Sequence, residues 1–285
     1  NPEGPGVKLE NIPTSWEGTY PSREQKFFPG SYGRVDSTGS LCSLEDFSAL
    51  ITLWPTRPGS GEQTLISHQD STSGWSLFLD DEGCLAAKLG KAGDTRKFRL
   101  EGSLRERKWY QAWLTYDAQT SKLTLGKAIL DPGLKSEDQT GSSTDYAFES
   151  VSQEIPFLIG AQFSGPIDSH FNGKLEEPKI FSRSLNQQEI EQAFSGKIPD
   201  GLLARWDFSR EIPTSRMIDL GPENLEGSLV NCPARGMTGS CWNGKEMCWR
   251  HAPEDYGAIH FHEDDIYDFG WETDFTIHLG EDLQS

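Results

Sequence analysis

Short alternating or continuous apolar runs recur along the first two-thirds of the chain, at residues 47–54, 63–67, 75–79, 84–89, 109–116, 122–125, 156–161 and 173–181. Between them fall clusters of Gly, Pro, Asp and Ser at 36–39, 58–61, 80–83, 90–94, 117–121 and 164–166, which are turn chemistry. Strand-length runs at this spacing predict a sandwich or barrel rather than alternating βαβ units. One helical signature stands apart. Asn186 can accept from free backbone N–H groups while Glu189 reaches back to it, Ile190 and Phe194 share a face, and Gly196 supplies the stop. Residues 135–150, polar and rich in Ser and Asp, predict a long mobile loop, and the Pro-rich residues 1–28 an extended arm.

Composition sharpens the all-β reading. Twenty-nine Gly, 16 Pro, nine Trp and 15 Phe against three Met suit short strands, frequent turns and aromatic filling between sheets. Twenty-six Lys+Arg against 44 Asp+Glu give a net charge of −18, which argues against nucleic acid or an anionic membrane as partner. No apolar run approaches the roughly 20 residues a spanning helix needs. Five scattered Cys without a Cys-x-x-Cys pair signal neither a disulfide framework nor a zinc site, and predict a reduced, cytoplasmic protein. After residue 199 the balance shifts to six basic against 17 acidic residues, and residues 251–285 hold ten acids and no Lys or Arg. A second β-rich module is expected over 199–285, truncated at its end, with Trp271, Phe275 and Ile277 alternating among acids so that one face packs and the other meets something basic. An opening Asn1-Pro2-Glu3 without an initiator Met or signal peptide suggests a fragment.

The run Phe171-Asn-Gly-Lys-Leu-Glu-Glu-Pro-Lys-Ile-Phe-Ser-Arg-Ser-Leu185, with the helix after it, resembles the closing strand and helix of laminin G-like, concanavalin A-like jelly rolls. Residues 47–55, 74–81 and 108–117 match the opening inner strand, a Gly-aromatic-Ser-Leu strand and the central strand, so the likeness covers about residues 29–198. Farther on, Leu203-Ala-Arg-Trp-Asp-Phe-Ser209, Asp219-Leu-Gly-Pro222, Cys232-Pro-Ala-Arg-Gly-Met-Thr-Gly239, Tyr256-Gly-Ala-Ile-His-Phe-His-Glu-Asp-Asp265 and Trp271-Glu-Thr-Asp-Phe275 resemble the large subunit of the N,N-dimethylformamidase family. The leader Asn1-Pro-Glu-Gly-Pro-Gly6 is similar to an internal stretch of that subunit. The resemblance implies an amide hydrolase whose catalytic iron, held by Tyr and Glu, sits in a domain C-terminal to these residues. No catalytic residue then belongs to this chain, which would serve assembly and shielding. Its partners would be the remainder of the same polypeptide and other subunits of a hetero-oligomer.

Other chemistry is weighed residue by residue. His260 and His262 alternate along a predicted strand beside acids, a possible metal pair, but without a properly spaced fourth ligand a half-exposed strand whose imidazoles bond loop carbonyls is the favoured reading. Asp70 with loop carbonyls is a candidate Ca²⁺ rim site. An alternative function is a carbohydrate-binding, lectin-like module using Trp16, Tyr32, Trp75 and Trp242 as platforms. Glycan hydrolysis is disfavoured because adjacent Glu176 and Glu177 should point to opposite sheet faces. Ser67 with His68, or Cys232 with His251, lacks an orienting group and an oxyanion hole.

Overall fold

The computed structural model describes residues 30–264; the arm at 1–28, Trp16 and the acidic stretch from 265 lie outside them. In chain order the strands are β1 (Tyr32–Val35), β2 (Phe47–Pro55), β3 (Gln63–Gln69), β4 (Gly74–Leu79), β5 (Cys84–Lys91), β6 (Asp94–Ser103), β7 (Tyr110–Asp117), β8 (Lys122–Ile129), β9 (Gln139–Ser143), β10 (Phe157–Ile159), β11 (Gln162–Phe163), β12 (Ile167–Asp168) and β13 (Gly173–Phe181). Helix α1 (Gln187–Phe194) follows, then β14 (Leu202–Asp207), β15 (Arg216–Asp219), β16 (Gly227–Val230), β17 (Ala234–Met237) and β18 (Ala258–Phe261). One layer runs β6-β5-β4-β3-β10-β1-β16-β15 and the other β14-β13-β2-β7-β8-β9, with β14 paired to β15 where the two meet. Every pairing is antiparallel, as hairpins and long crossovers of a jelly roll require.

Alternation along the strands sends one face of each layer inward. Phe47 stacks on Trp75 at 4.8 Å and Phe157 on Trp206 at 4.9 Å, while Trp75 meets Phe157 edge-on at 6.1 Å, so four aromatic rings run through the core. Trp206 Nε1 donates to the Leu225 carbonyl at 2.7 Å, which settles its polar end. The turns follow the expected chemistry at 80–83, where the Gly83 N–H donates to the Asp80 carbonyl and Gly83 adopts φ +77°. Helix α1 carries its capping box: the Glu189 N–H donates to Asn186 Oδ1 at 3.1 Å and the Asn186 N–H to Glu189 Oε2 at 2.9 Å. Ile190 and Phe194 pack against Leu50, Trp113 and Phe181 on the outer side of the second layer, whereas Ile180 joins the inner core.

One strand has no counterpart in the sequence analysis, and two expectations are corrected. Residues 94–103 form β6, an outermost strand that buries just Leu100 among its hydrophobic positions; its charged side chains hide it from an alternation search. The loop expected over 135–150 contains β9, the last strand of its layer. The described part of 199–285 makes no sheet of its own: β14 and β18 both pair with β13, and β16 pairs with β1, so this region completes the two layers that precede it.

Candidate functional site

Strand β13 has a bulge that organises its outer side. The register slips between Glu176 and Lys179, Glu177 adopts φ +47°, and Pro178 follows. Before the bulge β13 pairs with β18, and after it with β14. The bulge also breaks strict alternation, so adjacent Glu176 and Glu177 both find partners on the outer side instead of facing apart. Glu177 contacts Lys179 at 2.6 Å and also pairs with Arg205. Lys179 is 1% exposed, its Nζ 5.8 Å from the Phe194 ring centroid, and burial holds its ammonium below the usual lysine range. This triad is a strut under α1.

The half of β13 before the bulge carries a denser set. Lys174 lies opposite Trp54 of β2 and His260 of β18; Glu176 lies opposite Thr52 and Ala258. Lys174 Nζ donates to the Thr238 carbonyl at 3.1 Å and to Thr238 Oγ1 at 2.8 Å, and sits 5.1 Å from the Trp54 ring and 5.8 Å from that of Trp109. Glu176 accepts from the Ser240 N–H at 3.0 Å, and His260 Nε2 lies 3.4 Å from Thr56 Oγ1. Burial pushes all three toward neutrality: the Glu176 carboxyl is raised, Lys174 lowered, and His260 lowered with help from Lys174 and His262. Perturbed groups gathered on one face make this strip the candidate site. Two part-buried indoles, a shielded ammonium and short hydroxyls are recognition chemistry.

Most residues singled out in the sequence lie elsewhere. Tyr32 is fully buried in a small cluster with Leu158, Ala161 and Val230, and Trp75 is 1% exposed in the aromatic core, so neither presents an open platform. Trp242 is half-buried, its Nε1 donating to the Glu246 carbonyl at 2.9 Å. Asp70 Oδ1 accepts from the Thr72 N–H, the Thr72 hydroxyl and the Ser73 N–H, which makes it a turn cap; those bonds outweigh burial and keep its carboxyl below the usual range. His262 Nε2 lies 3.1 Å from the Asn231 carbonyl, away from the His260 contact with Thr56, and His170 Nδ1 pairs with Asp264 at 3.1 Å. Among the described residues no three His, Cys, Asp or Glu side chains converge as a metal cradle. Ser67 Oγ donates to the Ala161 carbonyl, and His68 is buried against Phe157 with its basicity depressed to about 4. His251 pairs with Glu246 rather than Cys232. Lys174, Trp54 and Trp109 were missed because single alternating positions in a strand give no motif; the bulge is signalled only by Pro178 in an apolar run.

Two packed antiparallel layers with this strand order define a class, the concanavalin A-like jelly roll. The chain matches the concanavalin A-like lectin/glucanases superfamily over residues 29–191, and it belongs to that superfamily. Across its whole length it is also 33% identical to the N,N-dimethylformamidase beta subunits of Paracoccus aminophilus and of an Alcaligenes species, over 314 and 311 aligned residues. The chain spans 41% of the length of each of those relatives. Among solved structures, a Bacteroides ovatus protein named for carbohydrate binding superposes with a TM-score of 0.52 at 16% identity, over 71% of this chain and 56% of that one, which speaks to fold alone. No helix among the described residues is long and apolar enough to cross a membrane.

Proposed function

We propose that these residues form the non-catalytic N-terminal region of a dimethylformamidase-like amide hydrolase, where they serve assembly and shielding of a catalytic part farther along the polypeptide. The carrying observation is the 33% identity to beta subunits over the whole chain while spanning 41% of their length. The strip around Lys174 supports it, because β18 carries His260 onto the same face as Lys174 and the part-buried Trp54 and Trp109. Trp54 and Trp109 then act as anchors against the rest of the enzyme, in keeping with the enrichment of Trp at binding hot spots. In this reading the iron implied by the resemblance belongs to the later part; the described residues offer it no cradle.

The test is formate release from N,N-dimethylformamide. The 285-residue protein should fold and release none above a heat-killed control, whereas the full-length chain should release it, and Trp54→Ala with Trp109→Ala should weaken association of the two parts supplied separately. Turnover by the 285-residue protein overturns the assignment.

A further inference from the structure

Between β17 and β18 the chain leaves the sheet over residues 238–257, and the base of this excursion is fastened to the outer side of β13. Lys174 donates to both oxygens of Thr238, the Ser240 N–H donates to Glu176, and the Gly239 N–H donates to the Asp255 carbonyl at 2.8 Å. The crown is built around Glu246. Its carbonyl accepts from Trp242 Nε1 at 2.9 Å and from the hydroxyl of buried Tyr256 at 2.8 Å. Its carboxylate accepts from the Cys248 N–H at 2.8 Å and meets His251 Nδ1 at 3.3 Å. A residue held through both backbone and side chain fixes the stretch on which the next one stands, so that binding there orders little that is not ordered already. That next residue is Met247, which is 75% exposed; Leu220, the other exposed large apolar side chain among the described residues, reaches 43%.

An exposed apolar residue is commonplace by itself. The neighbours of Met247 give it a direction. Trp249 is half-buried and carries the Arg250 guanidinium 4.5 Å from its ring centroid. Met, Trp and Arg are side chains that protein–protein interfaces concentrate. Among the described residues neither Lys245 nor Arg250 has a carboxylate partner, and Glu246, the only acid between residues 240 and 252, is occupied within its own loop. On a chain of net charge −18 this crown is an apolar knob flanked by two open cations.

We infer that Met247 anchors an interface with the remainder of the polypeptide, where it enters an apolar socket rimmed by carboxylates. The inference rests on the assembly role proposed above, since the base of the knob is bonded to the Lys174 strip, and it names the chemistry of the opposing surface: the socket takes the thioether, and its carboxylates meet Lys245 and Arg250. A net charge of −18 disfavours an anionic lipid surface. A two-fold contact between copies is disfavoured because knob would meet knob and the cations would face each other.

Methionine oxidation by dilute hydrogen peroxide, read by mass spectrometry of the peptide that holds Met247, tests it. In the 285-residue protein Met247 should oxidise freely while the fully buried Met217 does not. In the full-length chain the Met247 rate should fall at least about fivefold. Lys245→Glu with Arg250→Glu should restore it, and Lys245→Gln with Arg250→Gln takes their place if charge reversal prevents folding. Met247 as reactive in the full-length chain as in the 285-residue protein overturns the inference, even where that chain releases formate. Protection in a full-length chain that releases none upholds the interface and counts against the catalytic reading alone. Protection that survives the charge variants overturns the carboxylate rim. Protection of the 285-residue protein by phosphatidylserine vesicles, or by its own rising concentration, assigns the knob to lipid or to a second copy and overturns the choice of partner.

Discussion

The inner face of the sandwich and the outer side of β13 are both buried, yet they are held by opposite means. Inside, Phe47, Trp75, Phe157 and Trp206 fill space; Trp206 Nε1 donates to Leu225, while the buried Nε1 of Trp75 has no hydrogen-bond partner. Outside, Lys174, Glu176, Lys179 and Glu177 are covered by α1, the 238–240 segment and neighbouring rings, and each must find a charged or polar partner. Apolar burial tolerates imprecise contacts because every removed area of surface contributes. Charge burial is all-or-none, since losing a partner strands the other group. The first kind therefore sets whether the chain folds, and the second what its surface can recognise.

The largest effect should come from the inner face. Trp206→Ala removes a fully buried ring stacked on Phe157 and leaves the Leu225 carbonyl without its donor. A loss of about 4–5 kcal/mol is expected in urea unfolding. A loss near 1 kcal/mol would mean the core does not depend on its aromatic row.

A second effect depends on acid. His68 is buried beside Phe157 with its Nε2 3.2 Å from the Ile155 carbonyl, and its folded pKa falls from 6.5 to about 4. A depressed value in a histidine means the folded state holds the neutral ring, so the contribution is complete above pH 6.5 and is lost as pH falls toward 4. Up to about 3 kcal/mol of stability should disappear over that window. His68→Gln, which keeps a donor for Ile155, should flatten the slope in chemical denaturation at several pH values; an unchanged slope would assign acid sensitivity elsewhere.

The outer side should answer more softly to loss of charge. Glu177→Gln strands Lys179, but Glu177 is itself 29% exposed and water reaches the strut, so about 2 kcal/mol is expected rather than the 3–5 of a fully buried pair. Lys179→Met together with Glu177→Gln should recover part of it. Non-recovery would show that the bulge, not the ion pair, carries the stability.

The same contrast explains what was legible in the sequence. Inner positions repeat every second residue, so 47–54, 75–79 and 173–181 announce the core. The strut and the strip depend on a one-residue slip in β13 that brings Glu177 to Lys179 and Arg205, and no periodicity encodes a slip. Likewise β6 hid behind its charges, and the regular strands after 199 read as a separate module because pairing partners 20 to 200 residues away leave no local trace. Tyr32 and Trp75 were offered as platforms since an aromatic in a strand reads the same whichever face it takes.

The smallest test separates local from tertiary stability at α1. Asn186 and Glu189 exchange the two bonds of a capping box, and Arg183 grips Glu189 with two donors at 2.8 and 3.0 Å. Asn186→Ala removes the acceptor for the Glu189 N–H and should cost about 1 kcal/mol. The helix has little more than two turns and is held by Ile190 and Phe194 on Trp113, so it should fray at its start without leaving the sheet. Hydrogen exchange should therefore speed at 187–190 and stay slow at Phe181, whose ring lies under the same cluster. Faster exchange at both would mean that the cap, rather than the packed face, fixes α1, and that the outer side is built more like the inner one than its charges suggest.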